Sequence, residues 1–194
     1  VIGLDTSHSI QFVKRMQAPD CPPQEKVEGM RALTCMRFET PFQDKKGLDE
    51  RTAQLEGWGV KVTESFDEAV KGCDALMLEI NDPAYHVEYF RKAAALGKPI
   101  FLDKPLADTI AHGREIVEIA AKAKARFFSS SSLRFSPQLE EACRKVPQPQ
   151  MCAVYGPLGK APAGSSIVWY GVHAFEMLER ALGRGAVSVT AKRD

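Results

Sequence analysis

The stretch 82–108, "DPAYHVEYFRKAAALGKPIFLDKPLAD", decides the fold expected for this chain of 194 residues. Its first part has the signals of a helix, with Asp82 as N-cap, Pro83 in the first turn and Gly97 after the last turn. A short apolar run over 98–103 follows directly and predicts a strand. A helix that leads straight into a buried strand is typical of β-α-β units, so the stretch predicts a parallel sheet.

The same alternation continues on both sides of this stretch. Short apolar runs predict further strands at 1–4, 31–38, 60–63, 73–80 and 126–132, each followed by an amphipathic or capped helical segment. Together these segments predict an α/β fold built on a parallel sheet.

The pattern changes near Phe135, where we expect a boundary between a first domain, 1–135, and a partial second domain, 136–194. The second part is predicted to contain, in order, a helix at 136–145, a strand at 151–156, a helix at 170–183 and a strand at 187–191. Because strand-like residues stand at both ends of the chain, we expect it to be a fragment of a longer protein.

Composition limits the classes of partner. The chain has 26 basic and 25 acidic residues without a basic block, which argues against nucleic acid and acidic membrane surfaces. It has no long apolar span and no visible signal peptide. The five cysteines are odd in number and lack metal-ligand spacing, so no metal site is expected and a reducing, cytoplasmic location is favoured.

Sheets of this kind bind ligands outside the carboxyl ends of their strands. Three polar motifs stand there: "GLDTSH" at 3–8, "NDPAYH" at 81–86 and "DKP" at 103–105. Their shared position is stronger evidence for a binding site than any one motif.

The first motif takes the place of a dinucleotide-binding G-x-G-x-x-G loop but keeps only Gly3. Asp5 and His8 replace the other glycines, and Asp5 puts a negative charge where phosphate would sit. Hydroxyls and the free N–H groups of a helix start offset that charge in part, the hydroxyls being those of Thr6, Ser7 and Ser9. The alternative is an ordinary strand-to-helix turn with a capping residue.

The other two motifs offer a histidine, a lysine and an acid. His86 lies one turn into its helix, where the helix dipole favours a neutral imidazole, unless it only packs against a neighbouring loop. Pro105 restricts the direction of Lys104, whose ammonium can polarise a hydroxyl or carbonyl during hydride transfer. Asp103 either holds the lysine or contacts a cofactor, and the alternative is a solvated surface pair.

With these motifs, the chain resembles the Gfo/Idh/MocA family of NAD(P)-dependent oxidoreductases. The family pattern has a Pro with a His three residues on, then a helix ending in "GK", a strand and Glu-Lys-Pro. Residues 83–105 are similar to this pattern, with His86 as the histidine and Asp-Lys-Pro at the end. "LRFSP" at 133–137 resembles the family's Arg-Phe-x-Pro, and "WYGVH" at 169–173 resembles Asp-x-Gly-x-His.

The resemblance implies a Rossmann-type doubly wound parallel sheet followed by the beginning of an α+β open-sheet domain. It implies hydride transfer between NAD or NADP and a hydroxyl of a sugar, inositol or related polyol, in a protein that forms a homo-oligomer when intact. Lys104 and His173 become the catalytic candidates, with His173 as acid/base. The residues expected at the cofactor are Gly3, Asp5, Thr6, Ser7, His8, Arg37, Glu39, Asn81, Pro83, His86, Asp103 and Lys104.

Some choices stay open at this point. Glu39 favours NAD and Arg37 favours NADP, so the two are not distinguished. On a helix with apolar neighbours, His173 has a structural alternative. Trp169 replaces the family's Asp, and the glycine loop is altered. Both departures support an alternative function, a catalytically weak nucleotide-binding relative that acts as a sensor or interaction module.

Overall fold

The computed structural model describes residues 1–192, and within them the chain is built around a parallel sheet. Its strands are β1 (Thr34–Met36), β2 (Lys61–Thr63), β3 (Leu76–Leu78), β4 (Ile100–Leu102) and β5 (Phe127–Phe128). Strand β1 pairs with β2, and β4 lies between β3 and β5. The fold class expected from the sequence, α/β with parallel strands and helices, is confirmed.

The first predicted strand is reduced to a bridge that joins the two halves of this sheet. Ile2 pairs in parallel with both Met36 and Leu78. Its N–H donates to Met77 O at 2.7 Å, and Gly3 N–H donates to Met36 O at 2.9 Å. The resulting order is β2, β1, Ile2, β3, β4, β5, which is the order of a doubly wound Rossmann sheet. The order reverses beside Ile2, so the loop after Gly3 leaves from the switch point.

Eight helices accompany the sheet within the described residues. They are α1 (Ser7–Gln17), α2 (Lys45–Gly57), α3 (Phe66–Ala69), α4 (His86–Ala94), α5 (Ile110–Ala123), α6 (Pro137–Lys145), α7 (Ser166–Trp169) and α8 (Val172–Leu182). Helix α5 is capped by Thr109, whose hydroxyl accepts from His112 N–H, while the Asp108 carboxylate pairs with the His112 ring.

The hydrophobic core lies on both faces of the sheet. Successive residues of a strand point to opposite faces, and in β1 Cys35 joins one buried cluster while Met36 joins the other. The Cys35 cluster includes Ile10 of α1 and Leu48 of α2. The Met36 cluster includes Phe90 of α4 and others from α3, α5 and strands β3 and β4. Helices therefore cover both faces, as the doubly wound fold requires.

After Phe135, the regular elements within the described residues are all helices, joined by irregular segments. The strands predicted at 151–156 and 187–191 are not formed, and both segments are irregular and largely exposed. A strand needs a neighbouring backbone to pair with, and neither segment has one here. Helices α6 and α8 are held together by a two-pronged ion pair from Arg180 to Glu140, at 2.8 and 2.7 Å.

Across residues 1–192, every helix falls short of the length or the apolar character that a membrane span requires.

Candidate functional site

Gly3 brings the first loop into direct contact with the end of β3. Its φ is +101°, a conformation that residues with a side chain rarely adopt. A Cβ placed there would lie 2.3 Å from the carbonyl oxygen of Glu79. Glycine is therefore required at this position both for backbone conformation and for space, as in a dinucleotide-binding turn.

Asp5 does not face an incoming phosphate, contrary to the sequence expectation. Its side chain is only 1% exposed and accepts from Asn81 N–H at 2.8 Å, Asp82 N–H at 3.3 Å and the Thr40 hydroxyl at 2.8 Å. Burial raises the pKa of Asp5, while these hydrogen bonds act to lower it. The carboxylate fastens the loop after β3 to the loop after Ile2.

The rest of the first motif builds the start of α1. Thr6 is buried and is the N-cap, accepting from His8 N–H at 3.2 Å, and the buried Ser9 hydroxyl donates to Thr6 O. Ser7 is exposed at the helix N-terminus. Of the motif's side chains, those of Ser7 and His8 therefore remain open to a ligand.

A histidine–aspartate pair joins the first motif to "DKP". His8 Nδ1 lies 2.7 Å from Asp103 Oδ2, and the other oxygen of Asp103 accepts from Lys104 N–H at 2.8 Å. Asp103 is 2% exposed, whereas the His8 side chain is 33% exposed. The buried carboxylate orients a half-exposed imidazole at the carboxyl edge of the sheet.

Both predicted catalytic residues line one cavity of about 460 Å³, called the cleft below. Lys104, which precedes a cis peptide bond to Pro105, lines the cleft and is itself only 6% exposed. His173 enters it from α8. The cleft is lined also by His8, Asp103, Ser130, Ser131 and the aromatic side chains Phe12, Phe101, Phe128 and Phe135. The structure thus brings together residues that are far apart in the sequence.

The surroundings of His173 favour its neutral form. Its Nδ1 lies 2.6 Å from the hydroxyl of the buried Ser131. Burial lowers the pKa of His173, and the positive charge of Lys104 lowers it further. A neutral imidazole beside an ammonium has the properties of a general base for a hydroxyl proton. Ser131 was not predicted from the sequence, where its signal is the serine run that follows β5.

Glu79 was also missed, and it is buried at the very end of β3. It is 0% exposed, and no donor within the described chain reaches either carboxylate oxygen. Burial raises the pKa of Glu79 well above its ordinary value, and the negative charge of Asp103 adds to the effect. The signal in the sequence was an acid within the apolar run 73–80.

Most side chains of the "NDPAYH" motif that were expected at the cofactor are buried beneath the surface of the site. His86 is fully buried, with Nε2 2.8 Å from Ile80 O and Nδ1 3.2 Å from Leu106 O. Its ring lies between the loops after β3 and β4 with both nitrogens against carbonyl oxygens, which leaves no polar atom of His86 for the expected cofactor contact. Pro83 is also buried, and Asn81 accepts from Trp169 Nε1 at 2.8 Å.

Arg37 and Glu39 follow β1, around a separate cavity of about 480 Å³. Arg37 pairs with Asp49 at 2.8 Å and with Glu64 at 3.7 Å, and donates to the Thr52 hydroxyl. Glu39 is exposed. The end of β1 is where a Rossmann sheet meets the ribose of its dinucleotide.

Several solved structures share this fold. A protein assigned as a myo-inositol dehydrogenase from Sinorhizobium meliloti 1021 has 16% identity and a TM-score of 0.69, over 95% of this chain and 55% of that one. The myo-inositol 2-dehydrogenase of Lactobacillus plantarum has 15% identity and a TM-score of 0.58, over 75% of this chain and 40% of that one.

A third relative is the WlbA dehydrogenase of Bordetella pertussis, solved in complex with NADH and UDP-GlcNAcA. It has 17% identity and a TM-score of 0.56, over 75% of this chain and 40% of that one. The chain thus spans about half the length of these structures, and identities this low support the fold alone.

One sequence family matches part of the chain. Residues 46–131, from α2 to the serine run, match the oxidoreductase family described as having an NAD-binding Rossmann fold. The matched segment includes "NDPAYH" and "DKP" but ends before His173 and begins after the altered glycine loop. The expected cofactor class, NAD or NADP, agrees with this description. Residues 46–131 are therefore similar to the NAD-binding Rossmann domain of the Gfo/Idh/MocA oxidoreductase family.

Proposed function

We propose that this chain is the dinucleotide-binding part of an oxidoreductase that moves a hydride between NAD(P) and a hydroxyl of a sugar, inositol or related polyol. The observation that carries the proposal is the meeting of Lys104 and a neutral His173 in the cleft, at the carboxyl edge of a Rossmann sheet. The names of the similar structures, with myo-inositol and a nucleotide sugar, support this substrate class.

The residues present fit a dinucleotide. Gly3 allows the tight turn after Ile2, and α1, with Ser7 exposed, offers the free N–H groups of a helix start. The cavity with Arg37 and Glu39 stands where the ribose would lie. When bound, the nicotinamide supplies the hydride acceptor or donor.

The chain's own residues then handle the substrate hydroxyl. The Lys104 ammonium donates to the substrate oxygen and stabilises negative charge that develops there. His173 carries its proton on Nδ1 and donates it to the Ser131 hydroxyl oxygen, which leaves Nε2 free to accept the hydroxyl proton of the substrate. Aromatic side chains around the cleft restrict water. The Asp103 carboxylate accepts from Lys104 N–H and the His86 ring contacts Leu106 O, so both residues hold the backbone around Lys104.

The division into domains 1–135 and 136–194 is part of this proposal, as are a cytoplasmic location, a homo-oligomeric assembly and the absence of a nucleic-acid partner. The helical segment after Phe135 supports the boundary, since it contributes His173 to the cleft while lacking a strand of the sheet within the described residues.

The test is turnover of NAD+ or NADP+ with a panel of inositols, aldoses and sugar acids. Lys104→Met keeps the length of the side chain but removes the charge, and we expect kcat to fall by about 10²-fold or more. Lys122→Ala, on the exposed face of α5, is the matched control and should leave kcat unchanged. Full activity of Lys104→Met would refute the proposed role.

One observation favours the second candidate, a nucleotide-binding relative that is catalytically weak. Trp169, which stands where the family has Asp, donates to Asn81 and packs its ring against Phe42 and Tyr170. It cannot exchange a proton with His173 as a carboxylate would. Saturable cofactor binding with no turnover on the whole substrate panel would select this candidate.

A further inference from the structure

The unpartnered carboxylate of Glu79 is the least explained feature of the molecule. A buried ionised carboxylate is costly unless it is paired or binds a cation. Glu79 is 0% exposed, and both of its oxygens lack a donor among the described residues. An unpartnered acid in this position points to a group that completes it.

Two more ligand atoms lie beside this carboxylate. One ligand atom each from Glu79, His8 and Asp103 lies within 4.8 Å of the other two. The three residues come from different loops: His8 from the first turn of α1, Glu79 from the end of β3 and Asp103 from the end of β4. All three loops are held in place by the sheet or by the Gly3 contact, so the cluster is built on rigid elements.

We propose that His8, Glu79 and Asp103 form a binding site for one divalent cation at the carboxyl edge of the sheet. One imidazole nitrogen and two carboxylates suit Mn²⁺ or Zn²⁺, at metal–ligand distances of about 2.0–2.2 Å. Ligand atoms on such an ion are about 3–4.4 Å apart, so the site closes when the side chains of His8 and Asp103, whose nearest atoms are now 2.7 Å apart, separate slightly to admit the ion. The cation replaces the direct hydrogen bond between His8 and Asp103.

The electrostatic balance of the region supports this site. Glu79 and Asp103 bring two buried carboxylates together, and the positive charges that act on Glu79 are those of the Val1 amino group and the Lys104 ammonium. The half-exposed His8 lines the cleft, which leaves a route for the ion and an open coordination position towards a ligand there. This inference concerns cation binding alone and stands whether or not the chain turns over a substrate.

The spacing of the three ligands explains why the sequence did not predict a metal site. Positions 8, 79 and 103 have no short repeat of the kind that marks zinc motifs. Only the pairing of Ile2 with Leu78 and of β3 with β4 brings them together.

The test uses Mn²⁺, which prefers oxygen and nitrogen ligands and therefore avoids the five free cysteines. Free Mn²⁺ is counted by its electron paramagnetic resonance signal during a titration of the full chain. We expect saturable binding of one equivalent. Glu79→Gln, which keeps the shape of the side chain, and Asp103→Asn should each weaken binding about tenfold or more.

Asp108→Asn is the matched control, because Asp108 and His112 form a similar pair, at 2.5 Å, outside the three-residue cluster. It should bind Mn²⁺ as the unchanged chain does. Circular dichroism establishes that each variant is folded, and Mn²⁺ should raise the Tm of the unchanged chain but not that of Glu79→Gln. Absence of saturable binding, or equal binding in all variants, would overturn the proposal and leave Glu79 as a buried protonated acid.

Discussion

At the residue scale, Gly3 shows how one position can determine the geometry of a whole binding edge. The left-handed φ and the contact with Glu79 O each exclude a side chain. The other glycines of the usual loop are absent, yet this contact keeps the first loop against β3.

Gly3→Ala should destabilise the protein more than an ordinary glycine replacement does. Gly72 is the control, since its φ is +73° but a Cβ there would meet nothing within 4 Å. We expect Gly72→Ala to cost about 1 kcal/mol for backbone strain, and Gly3→Ala roughly 1–3 kcal/mol more for the overlap. Urea unfolding measures both, and equal costs would contradict the close contact.

His173 should make stability depend on pH. Its pKa is lowered from the ordinary value of 6.5 in the folded state, so the unfolded chain takes up the proton first as pH falls. The contribution of a neutral His173 is therefore complete above about pH 6.5 and is lost below it.

The measurement compares urea unfolding at pH 7.5 and pH 5.5 for the unchanged chain and for His173→Asn. We expect the unchanged chain to lose more of its unfolding free energy on acidification than the variant does. An equal loss in the two proteins would show that the pKa of His173 in the folded chain is not lowered.

At the scale of elements, most of the α/β alternation was readable because short apolar runs and capped helices mark strands and helices locally. The strands around Leu78 and Leu102 and the helix after Asp82 follow from such signals. The predicted strands at 151–156 and 187–191 were wrong, because a strand depends on a partner that local sequence does not reveal.

The residues of the candidate site could be predicted from the sequence only where a motif stands at the end of a strand. Lys104 was found in this way, and the resemblance to a family added His173. Glu79, Ser131 and Thr40 were missed, because their importance depends on neighbours brought together by folding and not on spacing.

Asp5 joins two elements, and its replacement should loosen both. Asp5→Ala leaves Asn81 N–H, Asp82 N–H and the Thr40 hydroxyl without their partner. An unsatisfied group costs roughly 1–3 kcal/mol, which should exceed the relief of removing a buried charge. We expect faster hydrogen exchange at Asn81 and Asp82 and a lower unfolding free energy.

Asp74→Ala is the control for this prediction, since Asp74 is exposed and its loss should change stability by less than about 0.5 kcal/mol. Unchanged stability of Asp5→Ala would mean that the carboxylate is not what holds the two loops together.

At the scale of the whole molecule, a Rossmann sheet places two cavities along its carboxyl edge, one beside Arg37 and Glu39 and one around Lys104 and His173. Trp169 lies over the loop after β3, between the element that carries His173 and the switch point of the sheet. We propose that a dinucleotide lies along this edge.

The most direct measurement is a titration with NADH and NADPH that follows tryptophan emission. Trp58→Phe removes the second of the two tryptophans, which packs against the other core cluster, and leaves Trp169 as the reporter. If a dinucleotide binds there, we expect saturable quenching by at least one of the two cofactors below millimolar concentration. No quenching at millimolar cofactor, in a protein shown to be folded, would contradict it.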